Sequence, residues 1–212
     1  MAVETPDATE TTRRIPPEGK ITFEEFLDWC DEDTWAEWVD GEVIMVSPAS
    51  IGHQDIGSLL DKVLGIYVEV RNLGKVVRAP FVMRLPSRPS GREPDLIFIA
   101  RERLHLLTNT YLDGPADLAV EIVSPESIGR DRGEKFVEYE GAGIREYWLI
   151  DPDRRSVEFY ELGADGRYHT AQIGADGIYR SRVVEGFWLR VDWLWQTPLP
   201  PALDVLRELR IV

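Results

Sequence analysis

Two carboxylates interrupt apolar segments that otherwise have the composition of buried β-strands. Asp95 directly precedes the apolar run at 96–99, and Glu121 lies inside the sequence LAVEIV at 118–123. A buried ionised carboxylate costs several kcal/mol unless it is paired, hydrogen-bonded or bound to a metal. Two simpler explanations remain open. Asp95 follows Pro94, which is common turn chemistry, and Glu121 on an edge strand would face water.

Carboxylates at the ends of adjacent strands suit a hard divalent cation, Mg²⁺ or its substitute Mn²⁺, because such ions prefer oxygen ligands. A cation there would polarise a phosphate and lower the pKa of a bound water, which favours phosphodiester hydrolysis. A positive side chain near the attacking water would stabilise the developing negative charge. Lys135 on the next predicted helix could supply that charge. The alternative is an ordinary solvated helix lysine.

Two further side chains could serve such a site. His53 falls in the first turn of a predicted helix, where it could contact a phosphate or hold the attacking water, or take a local capping role. Tyr139 lies one turn after Lys135 on the same helix face. It could fix the lysine by packing, or it could fill the core.

Turn and capping signals indicate the first elements that position these side chains. Thr22 and Glu25 have the spacing of a capping box and predict a short helix. The segment 35–48 has the pattern of a β-hairpin, with Asp40 and Gly41 at its turn.

A long helix and several strands are predicted after the hairpin. Apolar residues at helical spacing follow Ser50, and Gly74 is predicted to end this helix. The further predicted elements are strands at about 75–85, 95–100 and 117–124, a helix within 130–143, strands over 144–151 and 156–162, and short strands between 167 and 184. This order predicts a mixed α/β (α+β) fold, with a mixed central sheet flanked by helices and extra β-hairpins. Residues 1–19 are predicted to form a flexible tail, and 20–212 a single domain.

Composition restricts the class of protein. The chain has 43% hydrophobic residues, enough for a core, and a net charge of −14, which argues against a generally basic nucleic-acid surface. Its single cysteine excludes an internal disulfide, and no Cys/His cluster suggests zinc. No apolar stretch approaches the roughly 18 residues of a membrane span, and no secretory signal is visible. We therefore expect a cytoplasmic protein without a membrane partner.

Four motifs, in this order, resemble a known family. They are EWVDGEVIMVSP at 37–48, EPD at 93–95, VEIVSPES at 120–127 and RDRGEKFVEYEGAGIREYWLIDP at 130–152. Together they are similar to the Uma-two family of putative restriction endonucleases, which belongs to the PD-(D/E)xK nuclease superfamily. The resemblance extends over most of the chain and leaves out only the tails.

The resemblance implies a restriction-endonuclease-like core, one divalent-metal site per subunit and a homodimer. Asp95 matches the motif aspartate, and Glu121 matches the acidic residue of the (D/E)xK part. The lysine of that motif is missing because Ile122 and a valine follow Glu121, and Lys135 fits as its replacement. The backbone carbonyl of Ile122 could also bind the metal. Glu37 matches a family glutamate that would complete the carboxylate set, or it is one more acid in an acidic segment.

Three functional hypotheses follow. The first is a metal-dependent endonuclease that uses Mg²⁺ or Mn²⁺ and acts on nucleic acid, which we expect to be double-stranded DNA. The second is a catalytically silent nucleic-acid-binding protein that retains the nuclease fold, which the missing motif lysine supports. The third is a protein-interaction module, which the acid-rich segment 18–42 supports. Adding Mn²⁺ to the protein and a plasmid separates the first hypothesis from the others.

Overall fold

A computed structural model of the protein describes residues 15–31, 34–46, 49–85 and 88–212. Most of the predicted N-terminal tail, residues 1–14, lies outside these described residues. The helices and strands follow in this order: α1 (Phe23–Trp29), β1 (Ala36–Val39), β2 (Glu42–Met45), α2 (Ile51–Arg71), β3 (Gly74–Arg78), β4 (Val82–Leu85), β5 (Ser90–Arg92), β6 (Leu96–Ala100), β7 (Tyr111–Asp113), β8 (Leu118–Ile122), α3 (Lys135–Ala142), β9 (Glu146–Asp151), β10 (Ser156–Leu162), β11 (Tyr168–Thr170), β12 (Ile178–Arg180), β13 (Trp188–Arg190) and α4 (Ala202–Glu208). The segments Arg101–Leu106 and Val191–Trp195 form 3₁₀ turns, and Arg130–Glu134 forms a π-helical turn that leads into α3.

The first helix and the hairpin form as their sequence signals predict. The Thr22 hydroxyl accepts a hydrogen bond from the backbone N–H of Glu25, whose carboxylate in turn accepts one from the backbone N–H of Thr22. Asp40 and Gly41 have φ values of 49° and 93°, so both lie in the left-handed region that a tight two-residue hairpin turn requires. The predicted capping box and the predicted hairpin, β1–β2, are therefore confirmed.

Helix α2 begins as predicted but ends earlier. The Ser50 hydroxyl accepts the backbone N–H of His53 at 3.2 Å, which caps the helix. The helix ends at Arg71 because Asn72 adopts the left-handed conformation, with φ 55° and ψ 43°. The predicted stop at Gly74 is wrong. Asparagine tolerates the left-handed region as glycine does, and Gly74 is already the first residue of β3.

The single strand predicted at about 75–85 is also wrong. The segment forms two strands, β3 and β4, which belong to different sheets. Pro80 lies between them, and a proline has no backbone N–H to donate to a strand ladder. The apolar run therefore forms one strand in each of two sheets instead of a single long strand.

Two larger sheets organise the part of the chain that the structure describes. One has six strands in the order β11-β10-β9-β8-β6-β3, in which β8 and β9 are parallel and the other neighbours are antiparallel. The other has five strands in the order β2-β1-β5-β4-β7, and only its β4–β7 pair is parallel. Strands β12 and β13 form a separate antiparallel pair.

The two faces of the six-stranded sheet bury different partners. One face, with Phe98 and Trp148, packs against α2, α4 and the aromatic residues of 179–195. The other face, with Ile97 and Leu149, packs against Tyr139 of α3 and against the five-stranded sheet. The predicted fold class, a mixed α+β fold with a mixed central sheet flanked by helices and extra β-hairpins, is confirmed, and the second large sheet was not predicted. Among the described residues, no helix is both long enough and apolar enough to cross a membrane.

Candidate active site

The two carboxylates that interrupt strands come to one end of the β6–β8 pair. Leu96 pairs with Val120 in this antiparallel ladder, so the same register places Asp95 opposite Glu121. Side chains two positions apart in a strand point to the same face of the sheet. The residues two positions from Asp95 and Glu121 pack on the α3 face, so both carboxylates lie on that face. Oδ2 of Asp95 accepts the backbone N–H of Ile122 at 2.6 Å, which holds Asp95 beside the end of β8.

The side chain of His53 also reaches this position. Its Nε2 lies 3.1 Å from Oδ1 of Asp95, and its ring is largely buried. Burial acts to lower the pKa of His53, but the hydrogen bond and the charge of Asp95 outweigh it, so the pKa is raised. The capping contact of this residue involves its backbone N–H, which leaves the ring to contact Asp95.

Lys135 is not a solvated helix lysine, since it is only 5% exposed. Its Nζ lies 2.9 Å from Oε1 of Glu121 and 2.8 Å from Oε1 of Glu37. Burial acts to lower the pKa of Lys135, but the surrounding carboxylates raise it well above its ordinary value. Because Glu37 lies on β1 and Glu121 on β8, the ammonium connects the two larger sheets at the start of α3.

Tyr139 contacts the carboxylate rather than the lysine. Its hydroxyl donates to Oε1 of Glu121 at 2.6 Å, the same oxygen that Lys135 contacts. Burial raises the pKa of Glu121; Lys135 acts to lower it, while the negative charges of Asp131, Asp95 and Glu37 raise it further. Tyr139 therefore both fills the core and orients a site carboxylate.

Glu37 is held by a buried arginine that the sequence did not single out. Nη1 of Arg92 donates to Oε2 of Glu37 at 2.8 Å. The same guanidinium binds both carboxylate oxygens of Glu138, at 2.8 and 2.7 Å. Burial would raise the pKa of Glu37, but the charges of Lys135 and Arg92 lower it to about 2. Glu37 is thus an ionised link between two buried cations.

Two further acids at the site were also missed. Glu93 precedes Asp95 by two residues, which strand alternation would place on the same face. Burial, with the nearby charge of Glu37, raises the pKa of Glu93 to about 8. Asp131 precedes Lys135 by four residues, the spacing that brings side chains together on a helix, and its Oδ1 lies 3.3 Å from Nζ of Lys135. Both spacings were available in the sequence.

A cavity of about 60 Å³ connects these groups. Its acidic side chains are those of Glu37, Glu93, Asp95, Glu121 and Asp131, and its basic side chains are those of His53, Arg130 and Lys135. Because the pKa values of Glu93 and Glu121 are raised, the five acids do not all carry a charge near neutral pH, but together they give the cavity several oxygen ligands. Ile122 lines the same cavity, and its carbonyl points to the Asp95 side of β8, since the N–H and C=O of one strand residue share a side.

The carboxylates do not form a ready three-ligand metal centre. Across the described parts of the chain, no three His, Cys, Asp or Glu side chains are arranged to hold a metal ion together. The ammonium of Lys135 lies between Glu37, Glu121 and Asp131, and its short contacts occupy one oxygen each of Glu37 and Glu121. Asp95 contacts His53 and Ile122 instead.

Comparisons with known proteins identify the family and support the fold. Residues 23–192 match the Uma2 family, which is described as "Putative restriction endonuclease". A crystal structure of "a putative nuclease belonging to DUF820" from Anabaena variabilis is similar, with a TM-score of 0.69 and 19% identity over 82% of this chain and 97% of that chain. At this identity the likeness shows a shared fold. No curated protein matches. Because the family match spans most of the chain and includes all seven predicted site residues, the chain belongs to the Uma2 family of putative restriction endonucleases.

Proposed function

We propose that this protein is a divalent-metal-dependent endonuclease that hydrolyses phosphodiester bonds of double-stranded DNA. One observation carries the proposal: Asp95 and Glu121 lie opposite each other at one end of β6 and β8 and share a cavity with Lys135. The description of the family as restriction endonucleases supports DNA as the substrate.

The donor set of the cavity fits Mg²⁺ or Mn²⁺. Mg²⁺ is commonly bound by one or two carboxylates, several waters and substrate phosphate oxygens, so a closed cage of three acids is not required. Asp95 and Glu121 would hold the ion, together with the carbonyl of Ile122. The acidic side chains of the cavity supply oxygen ligands, and a bound divalent cation would favour their ionised forms.

Each of these contacts in the site then has a chemical role. A bound divalent cation supplies polarisation of the phosphate and a more acidic water. Lys135 would orient the attacking water and stabilise the negative charge that develops on the phosphate. His53 orients Asp95 through Nε2, and Tyr139 orients Glu121 through its hydroxyl. Glu37 holds the ammonium of Lys135 near the reacting atoms.

The test is cleavage of a supercoiled plasmid with Mg²⁺ or Mn²⁺, in wild type and in Lys135→Ala. We expect metal-dependent nicking by the wild type and a loss of roughly 10²–10³ in rate in the variant, because a positioned electrostatic group is removed. Lys135→Arg should restore only part of the rate, since a planar guanidinium does not reproduce a compact ammonium. Lys62→Ala, at an exposed lysine of α2, is the matched control and should cleave like the wild type.

Other outcomes of this test identify the alternatives. Binding of DNA without cleavage under any metal would support the silent nucleic-acid-binding protein. Neither binding nor cleavage would support a protein-interaction module. Unchanged cleavage in Lys135→Ala would remove this lysine from the mechanism.

The proposed assembly is a homodimer in which each subunit carries its own site. All the site residues described above come from one chain, and a two-fold axis matches the two strands of a duplex. Light scattering at micromolar concentration should report twice the chain mass of 24.2 kDa. A monomer there would count against the dimer without affecting the site.

A further inference from the structure

Asp131 is a buried carboxylate that has too few partners for its position. It is 1% exposed and lines the cavity of the candidate active site. Among the described residues, its Oδ1 accepts no hydrogen bond of normal geometry, although it lies 3.3 Å from Nζ of Lys135. A buried charge with incomplete pairing destabilises the fold, so the contacts in the structure do not by themselves explain why this carboxylate is buried.

The backbone of Asp131 is fixed to the sheet rather than left free to move away. Its N–H donates to the carbonyl of Ser127 at 2.9 Å, and its own carbonyl accepts the hydroxyl of Tyr147 from β9 at 3.0 Å. It lies in the π-helical turn that the bond from the Lys135 N–H to the Arg130 carbonyl closes. Such wide turns are frequent at functional sites. The carboxylate is therefore held in place beside Lys135.

Lys135 has three N–H donors and meets three carboxylates at different distances. The contacts to Glu37 and Glu121 are short, at 2.8 and 2.9 Å, whereas the contact to Asp131 is 3.3 Å. A divalent cation bound by Glu121 would repel the ammonium and compete for the same carboxylate. Glu37 is already shared with Arg92. Asp131 is the acceptor with a free oxygen towards which the ammonium can move.

We propose that Asp131 is a positioning residue that holds the ammonium of Lys135 when Glu121 binds the cation. This inference rests on the proposed function. The long contact in the structure is the resting arrangement, and it shortens as the bond between Lys135 and Glu121 weakens. Lys135 then stays within reach of the attacking water instead of being displaced by the cation.

The direct test follows the ammonium signal of Lys135 by ¹H–¹⁵N NMR, since a lysine NH₃⁺ is visible when it is held and exchanges slowly with water. The signal is assigned by its absence in Lys135→Ala, and Mg²⁺ is used because Mn²⁺ is paramagnetic. We expect the wild-type signal to persist at saturating Mg²⁺. In Asp131→Asn, the signal should be present without Mg²⁺, through Glu37 and Glu121, and should disappear when Mg²⁺ saturates the protein.

Cleavage kinetics provide the second readout. Asp131→Asn should lower kcat by roughly 10–100-fold, as loss of an outer-shell partner does, while the KM for DNA stays near that of the wild type. Asp151→Asn is the matched control, because Asp151 is also buried but faces Arg132 and Arg154. Its kcat and its Lys135 signal should equal those of the wild type.

The outcomes separate this inference from the proposed function. If the wild type binds Mg²⁺ in calorimetry but Asp131→Asn keeps its Lys135 signal at saturation, the positioning role is overturned and the nuclease proposal stands. Loss of the signal in Asp131→Asn without Mg²⁺ would also overturn the role, because it would show a general packing requirement. Absence of Mg²⁺ binding to the wild type would overturn both.

Discussion

Two buried glutamates in neighbouring parallel strands differ in their hydrogen-bond partners and in the charges around them. Glu121 lies near the end of β8, and Glu146 is the first residue of β9. Leu118 pairs with Glu146 and Glu121 pairs with Leu149, so the two glutamates are separated by three residues of register, about 10 Å along the strands. Glu121 lies on the face of the sheet that packs against α3, and Glu146 lies on the face that packs against α2. The residues two positions away in each strand pack on the same face as the glutamate.

Glu146 is surrounded by neutral donors. One carboxylate oxygen accepts the indole N–H of Trp148 at 2.6 Å. The other accepts the Ser181 hydroxyl at 3.0 Å and the backbone N–H groups of Arg182 and Val183 at 2.9 and 3.2 Å. Burial raises the pKa of Glu146, and these hydrogen bonds act against the rise. The carboxylate thus fastens β9 to the loop before β13.

Glu121 differs in the kind of partner, not in the degree of burial. Its acceptor oxygen contacts Lys135 and Tyr139, and the charges of nearby acids raise its pKa further. It also lines the cavity of the candidate active site, whose lining does not include Glu146. Burial and a raised pKa are therefore common to both glutamates. What differs is that several other acidic side chains surround the cavity that Glu121 lines.

The largest expected effect separates the two residues by activity. Glu121→Gln should lose metal-dependent plasmid cleavage by about 10³-fold or more, because a cation is worth several kcal/mol of transition-state stabilisation and each 1.36 kcal/mol is tenfold in rate. Glu146→Gln should keep the rate per folded molecule near that of the wild type. Both are measured as initial nicking rates on protein checked for folding by circular dichroism. Equal losses in the two variants would remove the distinction.

Glu121 could be predicted from the sequence because apolar residues flank it on both sides. Glu146 carries no such signal, since it follows Arg145 at the start of a strand and looks like an exposed turn residue. Its partners at 181–183 lie far along the chain, and no local sequence spacing predicts that they contact Glu146. Residue type and local pattern thus pointed to the glutamate of the candidate site and did not reveal the glutamate that is held by neutral donors.

The same limit applies to the cations. Lys135 could be proposed because it opens the helix that follows Glu121. Arg92 could not, because its partners Glu37 and Glu138 are separated from it by 55 and 46 residues and meet it only through the packing of β1, β5 and α3. The strand predicted at about 75–85 failed for the opposite reason. Pro80 was a local signal for a break, but the apolar residues on both sides of it favoured one continuous strand.

An intermediate effect tests whether Glu146 is structural. Glu146→Ala should lower the free energy of unfolding by about 3 kcal/mol, since it leaves buried N–H donors without an acceptor and each costs about 1–3 kcal/mol. The measurement is the urea midpoint and slope, with exposed Glu42→Ala as the control, expected to lie within about 0.5 kcal/mol of the wild type. A change as small as that of the control would mean that the loop is held without Glu146.

The smallest effect is the pH dependence that Glu146 contributes to stability. Burial raises its pKa in the folded protein above the ordinary value of 4.5, so the folded state holds this proton at pH values where the unfolded chain has released it. The contribution to the free energy of unfolding is therefore fully present below 4.5 and is lost as pH rises through the folded pKa. The difference between the wild type and Glu146→Gln should show this fall in urea titrations at several pH values upward from about 4.5. Glu42→Gln, a substitution at an exposed glutamate of β2, is the control and should follow the wild type throughout. Parallel curves for the wild type and Glu146→Gln would show that the four hydrogen bonds cancel the cost of burial, so that Glu146 titrates as it does in the unfolded chain.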